Sequence, residues 1–310
     1  MPRIAYEERT FSAGSLQVIQ RANEIIAEYQ GQGFTLTLRQ LYYQFVARGL
    51  LANKQTEYKR LGSIVNDGRL AGRIDWDGIE DRTRWLRESD DDHGDPDTWL
   101  GRVYRSFSKS RWRDQPYAPE VWVEKDALVG VIEAACDPLN VPYFACRGYV
   151  SQSELWAAGR RLGRAFDQGK IPLVIHLGDH DPSGIDMSRD IEDRLRTFAE
   201  HHVEVRRIAL NMDQVQEWNP PPNPAKATDA RFESYVREYG DESWELDALD
   251  PTTLSGLITN EIEGLIDQEA WDAAEESETE GRRRIKLVAD HWARVQTFLQ
   301  GDTVPPDEED

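Results

Sequence analysis

The chain has few cysteines and no long apolar run, and both shortages exclude classes of protein. Its two cysteines, Cys136 and Cys146, are too few for a disulfide framework or a cysteine-rich zinc site. No stretch approaches about 18 consecutive apolar residues, which excludes a membrane-spanning helix and argues against a membrane partner. The N-terminal MPRIAYEERTF lacks the basic flank and apolar run of a secretory signal. We therefore expect a cytoplasmic protein.

Several catalytic motifs are missing as well. The sequence contains no G-x-x-x-x-G-K-[ST], which excludes a P-loop ATPase, and it contains neither H-E-x-x-H nor G-x-S-x-G. The sequence is nevertheless that of a folded protein, because 39% of its 310 residues are hydrophobic and ten are tryptophan. At roughly 100–200 residues per domain, this length predicts two or three domains.

Negative charge dominates the composition but is unevenly distributed. The formal net charge of -20 disfavours nucleic acid as a partner, because Lys and Arg drive phosphate binding. Residues 201–310, however, carry 26 of the 57 acidic groups and only 10 basic groups. Residues 39–87 carry 10 basic and 6 acidic groups, and residues 99–113 carry five basic groups and no acid. Double-stranded DNA therefore remains a candidate partner, bound through the two basic stretches.

The N-terminal third has the pattern of consecutive helices. Apolar spacing predicts a helix over 14–30, and Thr35 or Thr37 can cap the next helix, LRQLYYQFVARGLL. A further helix follows over 56–70, and then a short extended piece with basic residues. This order matches a winged-helix DNA-binding module and, equally well, an ordinary helical subdomain.

The middle of the chain alternates short strands with helices. Four strands are predicted, over 121–123, 141–146, 171–177 and 203–210, with helices between them. Nearly continuous apolar strands separated by helices indicate a mixed α/β fold with a largely parallel sheet. The NPPPNP stretch ends this pattern, and an acidic, mainly helical region follows.

Carboxylates follow two of these strands at the point where each strand ends. Glu124 comes directly after VWV, and Asp179 and Asp181 come after IPLVIHL. Ligand sites in open α/β sheets form outside the carboxyl ends of strands, and three such carboxylates suit Mg²⁺. The alternative is that the aspartates are solvated side chains of an ordinary loop.

A tyrosine on the 36–50 helix is the second chemical candidate. Tyr42 lies on the apolar face with Leu38, Leu41 and Phe45, whereas Tyr43 is rotated about 100° away and shares its face with Arg39. A phenol with a pKa near about 10 is a poor nucleophile until a cation favours the phenolate, and Arg39 is spaced to do so. The alternative, that Tyr43 is a half-buried surface aromatic, is favoured by the spacing alone.

In this order, the motifs resemble those of the A subunit of type IIB DNA topoisomerases and its relative, the meiotic double-strand-break transesterase. LRQLYY matches R-x-x-Y-Y of the family's winged-helix domain, in which the second tyrosine, here Tyr43, is the nucleophile. VEKDA matches the Toprim-domain signature with Glu124, and DHDPSG matches D-x-D-P-x-G with Asp179 and Asp181. CRGYVS corresponds to G-K-G-Y-P-S, with Arg147 where lysine is usual.

The resemblance covers about residues 35–210 and implies a mechanism. A winged-helix and Toprim protein of this kind would be a Mg²⁺-dependent DNA-cleaving transesterase that forms a 5′-phosphotyrosyl bond through Tyr43. It would act as a homodimer, in which the tyrosine of one protomer works with its partner's metal site, and a separate ATPase subunit would drive strand passage. Two alternatives stay open: a Toprim nuclease that uses water as the nucleophile, and a non-catalytic DNA-binding subunit.

Segment boundaries and DNA contacts complete these expectations. The predicted segments are an N-terminal helical extension (1–34), a winged-helix domain (35–115), a Toprim domain (116–215), an acidic helical region (216–300) and a disordered tail (301–310). The expected DNA-binding residues are Lys59, Arg60, Arg69, Arg73 and Arg147.

Overall fold

A computed structural model describes residues 3–79 and 96–299, so the predicted tail and most of the predicted acidic linker at 89–98 lie outside the described residues. The helices are α1 (Ala13–Gly31), α2 (Leu38–Ala47), α3 (Gln55–Leu70), α4 (Pro96–Ser106), α5 (Val129–Cys136), α6 (Gln152–Asp167), α7 (Pro182–Ala199), α8 (Met212–Trp218), α9 (Phe232–Tyr239), α10 (Pro251–Glu263), α11 (Gln268–Asp290) and α12 (Trp292–Leu299). The strands are β1 (Tyr117–Val123), β2 (Tyr143–Ala145), β3 (Ile171–Leu177), β4 (Glu204–Ala209), β5 (Asn223–Pro224) and β6 (Glu242–Ser243).

The chain divides into two compact units. The first unit comprises Met1–Trp85 and Pro116–Leu265, and the second comprises Leu86–Gln115 and Ile266–Asp310. None of the helices within 3–79 and 96–299 is both long enough and apolar enough to cross a membrane. The five segments predicted as domains stay predictions.

Helices α1 to α3 form the N-terminal part of the first unit, and two of them match the helices predicted over 14–30 and 56–70. Thr37 begins α2 with a capping box: its hydroxyl accepts from the Gln40 N–H at 3.2 Å, and the Gln40 side chain accepts from the Thr37 N–H at 2.8 Å. The three helices share one apolar core, which includes Ile25, Leu41 and Leu61.

The second part of this unit is a four-stranded sheet in the order β2-β1-β3-β4, with every pair parallel. The predicted α/β class with a parallel sheet is therefore confirmed at this level. Helix α5 packs against β1 and β2, whereas α6 contacts β3 and α7 contacts β4. Trp122 and Val174 are buried with Leu155 and Leu195 in the core between the sheet and the α6–α7 pair.

The strand order creates a crevice at one end of the sheet. From β1 the chain crosses to β2 on one side, and β3 and β4 are added on the other side. The direction of winding therefore reverses between β1 and β3, where side chains that follow both strands can meet a ligand.

Residues 216–265 belong to the first unit. The short strands β5 and β6 pair antiparallel, and α10 packs against α5. Trp244, just after β6, forms an isolated antiparallel bridge with His180 beyond β3. This bridge brings the next residues of the segment, Glu245 to Asp247, to the carboxyl end of the sheet.

The second unit is built on α4 and α11, which pack against each other. Trp112 and Trp271 meet edge to face with ring centroids 5.9 Å apart, and the Arg111 guanidinium lies 5.1 Å from the centroid of the Trp271 ring. Glu278 accepts a hydrogen bond from the Lys109 N–H at 2.9 Å.

Candidate active site

Glu124 and Asp179 lie side by side at the reversal point of the sheet. Glu124 follows β1, and its N–H donates to the Leu177 carbonyl of β3 at 2.9 Å. One oxygen of the Glu124 carboxylate accepts the Asp179 N–H at 2.8 Å. The two residues predicted from separate strand ends therefore meet at the same edge.

Asp181 serves first as the cap of α7. Its Oδ1 accepts from the Gly184 N–H at 2.7 Å and from the Ser183 hydroxyl at 2.9 Å, while the exposed Lys226 ammonium lies 3.6 Å from Oδ2. The His180 ring packs against the rings of Tyr239 and Trp244. The common direction expected for Asp179 and Asp181 stays a prediction.

Negative charge is crowded at this edge. Burial, together with the neighbouring Glu124 and Asp247, raises the pKa of Asp179 to about 7 against the opposing effect of Lys125. Burial also raises the pKa of Glu124, and the charge of Asp181 acts in the same direction. The cluster therefore favours an added positive charge.

This is the chemistry on which the Mg²⁺ prediction rests, but the arrangement is not that of a formed metal site. Within residues 3–79 and 96–299, no three His, Cys, Asp or Glu side chains are positioned to hold a metal ion. Both carboxylate oxygens of Asp179 are engaged, since Oδ1 accepts the Leu246 N–H at 2.8 Å and Oδ2 lies 2.9 Å from the Lys125 ammonium. The donor types suit Mg²⁺, so the ion stays a prediction.

Lys125 is the cation that the structure does contain at this point. Its Nζ lies 2.9 Å from Asp179, 2.7 Å from Glu245 and 3.1 Å from Asp247. Burial lowers the pKa of Lys125, but the three carboxylates outweigh burial and leave the pKa above its ordinary value. The ammonium is therefore charged and joins the strand ends to the segment after β6.

Arg39 reaches the same two acids from α2. Its guanidinium is paired with Glu245, and its Nε lies 2.9 Å from Asp247 Oδ2. Burial opposes the charge of Arg39, but Asp247 and Glu245 raise its pKa above the ordinary value. Residues from three distant motifs are thus linked through one ion-pair network.

Tyr43 is more deeply buried than its helical position predicts. The spacing separates it from the core-facing Tyr42, yet the two residues are 3% and 4% exposed. The reason is tertiary: the face of α2 that carries Arg39 and Tyr43 is covered by residues after 216, and the Asn223 amide donates to the Tyr43 hydroxyl at 3.4 Å. Burial, with Glu245 and Asp247 nearby, raises the pKa of Tyr43 to about 12.

A cavity of about 300 Å³ opens beside Tyr43. Its lining is polar and aromatic: Arg39, Tyr42, Tyr43, Asn53, Lys54, Gln55, Tyr58, Asn223, Pro224 and Glu245. It therefore combines the candidate nucleophile with five cationic or amide-bearing side chains that can meet an anion.

Arg207 of β4 holds the loop that carries the two aspartates. Its guanidinium donates to the carbonyls of Gly178 at 2.9 Å, Asp179 at 2.7 Å and Gly184 at 2.9 Å. Burial lowers its pKa to about 10, while the surrounding carboxylates oppose that shift. Arg207 therefore positions the loop backbone and adds positive charge beneath it.

The predicted DNA-binding residues are not alike in their surroundings. Lys59, Arg60, Arg73 and Arg147 are exposed, although Arg60 pairs with Glu57 at 2.8 Å and Arg147 with Asp126 at 2.9 Å. Arg69, by contrast, donates to the backbone carbonyls of Trp76 and Ile79, and burial lowers its pKa. Its guanidinium supports the turn after α3.

Sequence reasoning missed four residues of the network: Lys125, Arg207, Glu245 and Asp247. Lys125 stands inside VEKDA, and Arg207 is one of two adjacent arginines in the predicted strand VEVRRIAL, so both carried a signal. Glu245 and Asp247 carried none, because they are two among the many acids of the C-terminal third.

Comparison with known proteins adds no relative, because no protein-family model and no curated protein matches the chain.

Proposed function

We propose that this chain is a metal-dependent DNA-cleaving enzyme with a winged-helix and Toprim arrangement, in which Tyr43 attacks the DNA backbone. The observation that carries the proposal is that candidate residues from separate parts of the sequence lie close together in the structure. Arg39 of α2 lies in one ion-pair network with the residues that follow β1 and β3, and its Cζ lies 5.8 Å from the centroid of the Tyr43 ring. Candidate residues more than 80 positions apart in sequence are therefore linked within one unit, which supports a common site for them.

Each candidate residue would have its own role in the proposed transesterification. The Tyr43 oxygen would form a bond to phosphorus as the bond from phosphorus to the 3′ oxygen breaks, leaving a 5′-phosphotyrosyl end and a 3′-hydroxyl. The phenol proton passes to water, and the leaving oxygen gains a proton. Arg39, whose Cζ lies 5.8 Å from the centroid of the Tyr43 ring, acts to lower the pKa of Tyr43 against the larger effect of burial.

The carboxylates would hold the metal. Glu124, Asp179 and Asp181 are the residues for Mg²⁺, which when bound supplies charge stabilisation for the phosphoryl group in the transition state. Arg207 keeps the Asp179 loop in place through three backbone carbonyls. A homodimer would cut both strands, and strand passage would need a separate ATPase subunit.

The test is to incubate the protein with supercoiled DNA and Mg²⁺ and to trap covalent adducts on 5′ ends. We expect adducts from the wild type, none from Tyr43→Phe, and wild-type levels from Tyr58→Phe. Tyr58 lines the same cavity and loses the same hydroxyl, so it is the matched control. Asp179→Asn or EDTA should lower cleavage by about 100-fold or more. Cleavage without any adduct would contradict the tyrosine mechanism.

The second candidate is a Toprim nuclease in which water attacks the phosphate. It is favoured by one observation: Tyr43 is buried, and its pKa is raised to about 12. A phenol in that environment is not activated. Unchanged cleavage by Tyr43→Phe, with free 5′-phosphate ends and continued dependence on Asp179, would select the nuclease.

A further inference from the structure

One carboxylate oxygen receives two cations that come from different parts of the chain. Oε2 of Glu245 is paired with the Arg39 guanidinium from α2 and lies 2.7 Å from the Lys125 ammonium that follows β1. A guanidinium and an ammonium directed at one oxygen form an anion-binding arrangement, which suits a non-bridging phosphate oxygen as well as a carboxylate.

Asp247 fixes the two cations independently of Glu245. Its Oδ2 lies 2.9 Å from Arg39 Nε, its Oδ1 lies 3.1 Å from Lys125 Nζ, and its side chain is 0% exposed. The Glu245 side chain is 24% exposed and borders the cavity beside Tyr43. Asp247 is thus the fully buried partner of the cations, and Glu245 is the partner that borders the cavity.

We propose that Arg39 and Lys125 form a binding subsite for a nucleic-acid phosphodiester, and that Glu245 occupies this subsite until DNA displaces it. The inference rests on the proposed function, because it assigns the phosphate of that substrate to these two cations. In the absence of DNA, the Glu245 carboxylate would occupy the position of the phosphate between Arg39 and Lys125. It would thereby prevent weakly binding anions from occupying the subsite.

The first experiment measures binding without cleavage. A fluorescein-labelled 20-base-pair duplex is titrated in EDTA and followed by fluorescence anisotropy with the wild type, Glu245→Gln and Glu242→Gln. Glu242 is exposed and three residues away, so its variant removes the same charge without freeing the two cations. We expect Glu245→Gln to bind about tenfold more tightly, the size of one charge-assisted hydrogen bond, and Glu242→Gln to bind less than about twofold more tightly.

Salt dependence provides a second readout. The slope of log Kobs against log salt should be the same for Glu245→Gln and the wild type, because the phosphate contacts the two cations in both complexes. Adding Lys125→Gln to Glu245→Gln should reduce the steepness of this slope by about 0.9 and reverse the gain in affinity. Equal effects of the Glu245 and Glu242 variants, or weaker binding by Glu245→Gln, would mean that Glu245 only bridges structural elements.

A third measurement needs no variant and so does not depend on a variant folding. Hydrogen exchange of the wild type is followed with and without the duplex in EDTA. The Leu246 N–H, which donates to Asp179, should exchange faster when DNA is bound, and slower or unchanged exchange would overturn the proposal. If Glu245→Gln binds DNA more tightly but the protein shows no Mg²⁺-dependent cleavage, the phosphate subsite is supported and the proposed cleavage activity is rejected. If the protein cleaves DNA but Glu245→Gln binds no more tightly, the cleavage activity is supported and the subsite is rejected.

Discussion

At the scale of single residues, the buried His176 makes the stability of the fold depend on pH. It lies in β3 with its side chain fully buried, and burial together with the nearby Arg207 lowers its pKa to about 3. In the unfolded chain its pKa would be about 6.5. Because the folded pKa is depressed, the stability it contributes is present above pH 6.5 and is lost as the pH falls towards 3.

We therefore predict that His176→Gln makes the free energy of unfolding less dependent on pH. Between pH 7.5 and 5.5 the wild type should lose about 1 kcal/mol more than the variant, because only the wild-type unfolded state gains this proton. Urea denaturation at both pH values measures the difference. His201→Gln, at a half-buried position outside the strands, should keep the wild-type dependence. So would His176→Gln if His176 were already charged in the folded chain.

At the scale of elements, the junction of β3 and α7 requires a glycine, which has no side chain, at position 184. A Cβ on Gly184 would lie 2.3 Å from the Asp179 carbonyl oxygen and 3.1 Å from Glu124 Oε2. We predict that Gly184→Ala destabilises the fold by about 1–3 kcal/mol, because the loop backbone must move. The same variant should lose cleavage more than its loss of folded protein explains.

The matched control is Gly256→Ala in α10, where a Cβ would meet nothing within 4 Å. Alanine is the better helix former, so this variant should be as stable as the wild type or more stable by up to about 1 kcal/mol. Urea denaturation measures the free energy of unfolding of both variants and of the wild type. Equal stability of Gly184→Ala and the wild type would mean that the loop yields without cost.

Sequence patterns predicted the helices and strands better than they predicted the surroundings of single residues. Alternating apolar runs and helices predicted four parallel strands, and Thr37 was one of two predicted caps for α2. The burial of Tyr43 was not predictable, since helical spacing describes one helix and not what covers it. The residues that cover it follow about 180 positions later in the chain.

At the scale of the whole molecule, the second unit draws on two separated stretches of the chain, and Trp271 lies in its core. The Trp271 side chain is 7% exposed and packs against Trp112. We predict that Trp271→Ala destabilises this unit by about 3–5 kcal/mol. In hydrogen-exchange measurements, amides of 96–115 and 266–299 should lose protection while those of β1 and β3 keep it.

Trp156→Ala provides the control, because Trp156 is 56% exposed on α6 of the first unit. It should leave exchange in both units close to that of the wild type. If Trp271→Ala exposed the strands as well, the two units would unfold as one cooperative body.

The sequence by itself determined the α/β class, the meeting of Glu124 with Asp179, and the uneven distribution of charge. Each of these follows from local periodicity or from the rule that parallel strands end at a common edge. Only the tertiary structure decided that Lys125 and Arg39 share Glu245, that Asp247 is buried between them, and that acids of the C-terminal third neutralise cations of the candidate site. Such pairing depends on contacts between residues more than 100 positions apart, and composition and spacing carry no record of them.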